Sequence, residues 1–140
     1  MNIPNNSLTK QIKEVIALCE ELAPEYGDSA SWFSAPASMT EINEWEYDNK
    51  TTIPESYIDW LVFSNGSQII NDMAHFFGLK QIRIYNEYIP NDYVVIGELI
   101  GDGELLCFSK TTGRFIRYNH GKLVEYQDFK EILNLILSII

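Results

Sequence analysis

The sequence predicts an α+β fold in which an antiparallel β-sheet meander packs with N-terminal helices and a C-terminal helix. Three observations predict it. Apolar residues recur at steps of three and four through the first part of the chain, the period of an α-helix. After Gly66 the pattern changes to short apolar runs at regular spacing, separated by glycine-bearing breaks. From Asp128 the helical period returns. With 140 residues the chain is the size of one domain, and residues 1–140 are read as one. At 46% hydrophobic and 13% aromatic, it has enough apolar material for a core without disulfide or metal support.

The first helix is expected from Ser7 to Ala23, with Leu8, Ile12, Val15, Ile16, Cys19 and Leu22 on one stripe. Ser7 is positioned to cap its start and Pro24 to stop it. Residues 24–37, rich in proline and small side chains, read as a loop pinned to the body by Trp32 and Phe33. Ser38-Met39-Thr40-Glu41 has the S-x-x-E form of a capping box, so a second helix should follow with Ile42 and Trp45 facing inward. Pro54 suits the first turn of a third helix, whose Tyr57, Ile58 and Leu61 share a face. Asn65-Gly66 should close that helix, because both residues tolerate the left-handed conformation.

The runs "IIN", "AHFFGL", "YVVIGELI", "ELLCFSK", "RFIRYN" and "KLVEY" then read as strands. The last four are joined by Gly101-Asp102-Gly103, Thr111-Thr112-Gly113 and Asn119-His120-Gly121, short breaks with glycine where a hairpin needs positive φ. Parallel neighbours would need long crossovers, so the order is a meander. A final helix capped by Asp128 places Phe129, Ile132, Leu133, Ile136 and Ile140 on one face.

Charge and motif chemistry exclude more than they assign. The net charge is −10, a field that repels nucleic acid. It is unevenly placed: residues 1–60 hold 11 acids and 3 bases, residues 61–140 hold 9 and 7. No apolar run approaches the ~18 residues of a membrane span, and no signal-peptide pattern opens the chain. A soluble, cytoplasmic protein is expected. Cys19 and Cys107 have no ligand neighbours at metal-binding spacing and read as reduced, buried thiols. His75 lies in an apolar run and His120 in a turn, 45 residues apart. No nucleophile elbow or Cys–His setting is present.

The "GDGE" of residues 101–104 is the one glycine-rich stretch that invites a ligand reading. A phosphate loop needs its glycines at a helix N-terminus, usually with a lysine, and a dinucleotide loop needs a third glycine opening a helix. A calcium loop needs acids at alternate positions and a closing Glu. Here the glycines lie between two strands, so the stretch reads as a turn without a functional metal. Glu98, Asp102 and Glu104 are expected to share one acidic rim.

Taken in order, these pieces resemble the SUKH superfamily, the Smi/Knr-type domain. The resemblance is carried by "MTEINEWE", by "IPESYIDWLVFSNG" with Ile53-Pro54 and Asn65-Gly66, by "YVVIGELIGDGELLCFSKTTGRFIRYNHG", and by "DFKEIL" before the last helix. It covers about residues 38–140 and leaves 1–37 as an N-terminal helix and loop. It implies helices around an antiparallel sheet, and no catalytic residue, cofactor or metal. Bacterial members resemble immunity proteins that bind the effector domain of a polymorphic toxin, often a nuclease, and block it without chemistry. Some eukaryotic members act as interaction modules in cell-wall regulation. The partner expected on this reading is a cognate toxin domain, a basic protein. The acids expected to meet it are Glu41, Glu44, Asp48, Glu55 and Asp59. The alternatives are a general protein-interaction module, or a small-ligand sensor with an aromatic pocket drawn from Trp32, Phe33, Trp45 or Trp60. Core packing is the reading preferred for those four aromatics.

Overall fold

A computed structural model describes residues 1–84, 87, 89–101, 103–119 and 121–139. Helix α1 spans Thr9–Tyr26 and buries Ile12 and Val15, with Leu8 buried just before it. It is longer than its sequence suggests, because Pro24 lies inside it. A proline keeps helical φ and forfeits one backbone bond. At the exposed last turn that loss is tolerated, and Gly27 closes the helix by donating its N–H to Ala23 O at 2.8 Å. Ser7 does not cap the start. Its hydroxyl donates to the Asp59 carboxylate, while Asn6 Oδ1 accepts from the Leu8 N–H at 2.9 Å.

The loop that follows is better ordered than expected. Trp32–Phe33 form a short strand, β1, paired antiparallel with β2 (Ser67–Ile69). Helix α2 (Met39–Asn49) opens with the full capping box: Ser38 Oγ accepts from Glu41 N at 3.1 Å, and Glu41 Oε1 accepts from Ser38 N at 3.0 Å. Helix α3 (Glu55–Leu61) is preceded by Pro54 at its cap position, one place outside the first turn. It ends before Asn65-Gly66, which are used elsewhere. Asn65 N donates to Ala35 O, and Asn65 Oδ1 accepts from Leu79 N at 2.8 Å. That staple brings the chain so close that a Cβ at Gly78 would sit 2.3 Å from Asn65 O. Ile58 is only half-buried, and Trp60 takes the inward place beside Tyr57 and Leu61.

The remaining strands are β3 (Ala74–Phe76), β4 (Tyr93–Leu99), β5 (Glu104–Ser109), β6 (Phe115–Asn119) and β7 (Lys122–Tyr126). The seven form one antiparallel sheet in sequence order, β1 to β7. Helix α4 (Phe129–Ile139) closes the described fold and packs against α1. Asp128 Oδ1 accepts from Glu131 N, and the Glu131 carboxylate reaches back to Asp128 N, a second reciprocal cap. Phe129, Ile132, Leu133 and Ile136 are buried as the period predicts; Ile140 lies outside the described residues.

Four aromatic rings fix the helices to one face of the sheet. The Phe129 ring centroid is 4.9 Å from Tyr57, 5.0 Å from Phe76 and 5.7 Å from Phe115. Tyr57 is fully buried, yet its hydroxyl is satisfied by donating to Phe77 O at 2.7 Å. Burial pushes its pKa well up. This inner face carries the rung Phe33–Ser67–Phe76–Gly97–Leu106–Arg117–Val124. One residue along, the rung Trp32–Gln68–His75–Glu98–Leu105–Tyr118–Leu123 crosses all seven strands on the opposite, outer face.

Candidate partner-binding surfaces

The five acids proposed from sequence fall into two groups. On α2, Glu41, Glu44 and Asp48 are all exposed at helical spacing, with Ile42 buried behind them and Trp45 half-buried. Glu41 is tied to the cap. The Ser38 backbone N–H, then its hydroxyl, hold the carboxyl below its ordinary value. Among the described residues Glu44 and Asp48 make no such bond, and they flank Tyr47, which is 84% exposed. An exposed tyrosine beside two carboxylates is the anchor type enriched in binding hot spots. Sequence reasoning passed over Tyr47 because nothing in its spacing separates it from a core aromatic. Glu46, on the same helix, accepts from Ile53 N at 2.7 Å and holds the α2–α3 link.

The second group is Glu55 and Asp59 on α3. They line an open cleft of about 510 Å³ together with Ser7, Ser56, Gln127 and Asp128. Asp128, read from sequence only as a helix cap, thus joins two of the candidate acids. Asp59 is half-buried and also structural. It receives the Ser7 hydroxyl, and its carbonyl accepts from Asn6 Nδ2 at 3.1 Å, which moors the N-terminal segment to α3. None of the three α2 acids lines this cleft.

The four aromatics considered for a ligand pocket do not line one cavity, although Phe33 and Trp60 meet edge-on at 6.4 Å. Trp60 is fully buried on the inner side, edge-on to Phe63 and Phe76. Trp32 lies on the outer face against His75, and Trp45 packs on the core. An apolar cavity of about 220 Å³ lies beside the C-terminal part of α1, lined by Ile16, Cys19, Ala30 and Phe33 among others. Burial raises the Cys19 thiol, and it pushes Cys107 up to about 12.

The Gly101–Glu104 stretch is a hairpin turn, with Leu99 pairing Glu104 across it. Gly101 and Gly103 have φ of +70° and +86°. The expected acidic rim is divided. Glu98 pairs with Leu105 and faces outward; Glu104 is one rung on and faces inward, where it is buried and paired with Arg117. Period-two alternation places adjacent rungs on opposite faces, so two acids near one turn need not meet. Asp102 and His120 lie outside the described residues.

A seven-strand antiparallel meander, backed by helices through a shared aromatic cluster, defines a small α+β domain with no strand crossover among the described residues. Residues 36–135 match the SMI1/KNR4 family (SUKH-1), and the chain belongs to that family. The match runs from the capping segment of α2 into α4 and leaves α1 and β1 outside it. No curated protein matches the chain. Among the described residues no helix is long and apolar enough to cross a membrane.

Proposed function

We propose that this protein is a non-enzymatic immunity protein that binds a cognate bacterial toxin domain and blocks it one-to-one, acting in the cytoplasm. Membership of the SUKH-1 family carries the reading, since that family is typical of immunity proteins for polymorphic toxins. The net charge of −10 supports a basic partner, because a nuclease groove built for phosphate attracts an acidic surface and is filled by it. Glu44, Asp48 and Tyr47 on α2, with Glu55 and Asp59 in the α3 cleft, are the contacts assigned to that partner. Glu41 adds charge from its fixed place in the cap.

A small-ligand role draws on the apolar cavity beside α1, since the 510 Å³ cleft at α3 is lined by three acids. The cavity's 220 Å³ falls below the ~300–1,000 Å³ of ordinary ligand sites, so the protein-binding reading stands ahead. The test is association kinetics with the toxin domain encoded beside this gene, at several ionic strengths. Neutralising Glu44, Asp48 and Glu55 together should slow kon and flatten its salt dependence, with a smaller change in koff, because rim charges act on encounter. Tight binding indifferent both to salt and to these substitutions would remove the acidic faces from the account. An absence of binding to any neighbouring gene product would move the general interaction module ahead.

A further inference from the structure

We propose that the exposed β1–β4 end of the sheet's outer face is a second docking surface, which receives a lysine or arginine side chain of a basic protein partner between Trp32 and Glu98. The nature of the partner rests on the reading above; the surface itself does not.

The outer rung lacks the buried centre of its neighbour. None of its seven residues is fully buried, and its ends, Trp32 and Leu123, are 40% and 46% exposed. Towards the β1 end the rung borders a polar pocket of about 90 Å³, lined by Gln68, Asn71, Asp72, His75 and Glu98. That volume holds the end of one side chain and no more. Asp72 and Glu98 have no ion-pair partner among the described residues. His75 adds a separate mark. Its Nε2 is buried and has no hydrogen-bond partner, which is costly for a polar atom. With its proton on Nδ1, that nitrogen offers a lone pair to an incoming N–H donor. Two carboxylates, a ring nitrogen and two amide side chains match an ammonium or guanidinium group.

The aromatic wall suits the same group. The Trp32 ring stands edge-on to His75 at 5.8 Å, and Phe77 flanks His75 on its other side at 5.1 Å. Trp32 is 40% exposed beside His75 and lines the neighbouring cleft with Lys80, so a cation–π contact to it would come from a side chain reaching in past the pocket's rim. Further along the rung Leu105 and Tyr118 are partly buried against the core, and Leu123 is 46% exposed at its end.

Backbone geometry holds the acids in place. Ile70, Asn71 and Ile100 have φ of 44°, 55° and 63°, and β-branched residues rarely adopt the left-handed region. A Cβ at Gly101 would lie 2.7 Å from Asp72 Cβ, so the turn after β4 sets the position of Asp72. The turn singled out in the sequence therefore serves as one wall of this pocket.

The test is an NMR titration of the ¹⁵N-labelled full chain with a hexa-arginine peptide at low ionic strength. Shifts should concentrate at the Trp32 indole N–H, the Gln68 side-chain amide, and the His75 and Glu98 amides. W32A should weaken the peptide roughly two- to fivefold, the size of an exposed cation–π contact. E98Q should weaken it similarly, and D72N with E98Q by more. E21Q with E25Q, on the exposed side of α1, should leave it within twofold. All four variants alter side chains outside the core, and an unchanged amide spectrum away from the site confirms folding. Shifts confined to α2 and α3, or affinities indifferent to W32A and E98Q, overturn the proposal. A toxin domain blocked equally by the parent and by W32A/E98Q also counts against this surface while leaving the immunity reading standing. Peptide docking at Trp32 in a chain that blocks no toxin does the reverse.

Discussion

Two neighbouring rungs of one sheet differ in almost every respect. Phe33–Ser67–Phe76–Gly97–Leu106–Arg117–Val124 faces the helices, and Ser67, Phe76, Gly97 and Leu106 are buried. Trp32–Gln68–His75–Glu98–Leu105–Tyr118–Leu123 lies one residue away on each strand and buries none of its members completely. The first rung is held by aromatic packing on Phe129 and Trp60. The second keeps aromatic, apolar and charged side chains at the surface. Trp32 and Leu123, left 40% and 46% exposed at the two ends of the rung, are more informative than buried side chains, because folding alone does not call for them. The contrast separates residues packed under the helices from residues that keep part of their surface in water.

The inner rung should be the more sensitive one, and its covering ring the most sensitive of all. Phe129→Ala removes contacts to Tyr57, Trp60, Phe76 and Phe115 together and should cost about 3–5 kcal/mol in urea unfolding. A loss below about 1 kcal/mol would mean that α4 does not organise the inner face. The Arg117–Glu104 pair comes next. Both side chains are largely buried, at 21% and 7% exposure, so Arg117→Met takes the cation from a buried carboxylate and should cost about 3 kcal/mol. Replacing Glu104 by Leu in the same chain should recover most of that.

The sharpest form of the comparison uses one residue type on two faces. Leu106→Ala should cost about 2–5 kcal/mol, and Leu105→Ala, half-buried on the outer rung, less than half as much. Equal losses would show that the faces are wrongly assigned.

The smallest effect belongs to the end of the sheet. The Ser109 hydroxyl, then the Thr111 hydroxyl and N–H, donate to Asp92 and hold its pKa below the usual 3.8. A depressed folded value adds stability that is present above the unfolded pKa and lost as pH falls through the folded one. The Tm gap between the parent and Asp92→Asn should therefore be steady above about pH 4 and close at lower pH. A gap that does not depend on pH would remove the role assigned to the charge.

Much of this fold was legible in the sequence because it is written in local periods. The capping box at Ser38, the four C-terminal strand runs and the glycine turns between them are each determined by residues a few positions apart. Features set by distant partners were not legible. Asn65-Gly66 looks like a helix stop, but Asn65 bonds Ala35 and Leu79 instead. Trp60 and Ile58 exchange burial because Phe76 and Phe129 lie on the Trp60 side of α3. The candidate acids were found by type alone. That Glu55 and Asp59 share a cleft with Asp128 depends on α4 docking across the start of α3, where Phe129 N donates to Ser56 Oγ. Glu98 and Glu104 part company because pairing register, not distance along the chain, assigns faces.

The most direct test of the central claim, that the chain neutralises a toxin by stoichiometric binding, is an inhibition titration. The toxin domain encoded beside this gene is held at a concentration far above the expected Kd, and its activity is followed as the full chain is added. The account predicts a linear fall to an endpoint at one chain per toxin domain, unchanged by longer incubation, as for a blocker that acts by binding alone. Activity that persists past one equivalent, or inhibition by a small fraction of an equivalent that deepens with time, would contradict it.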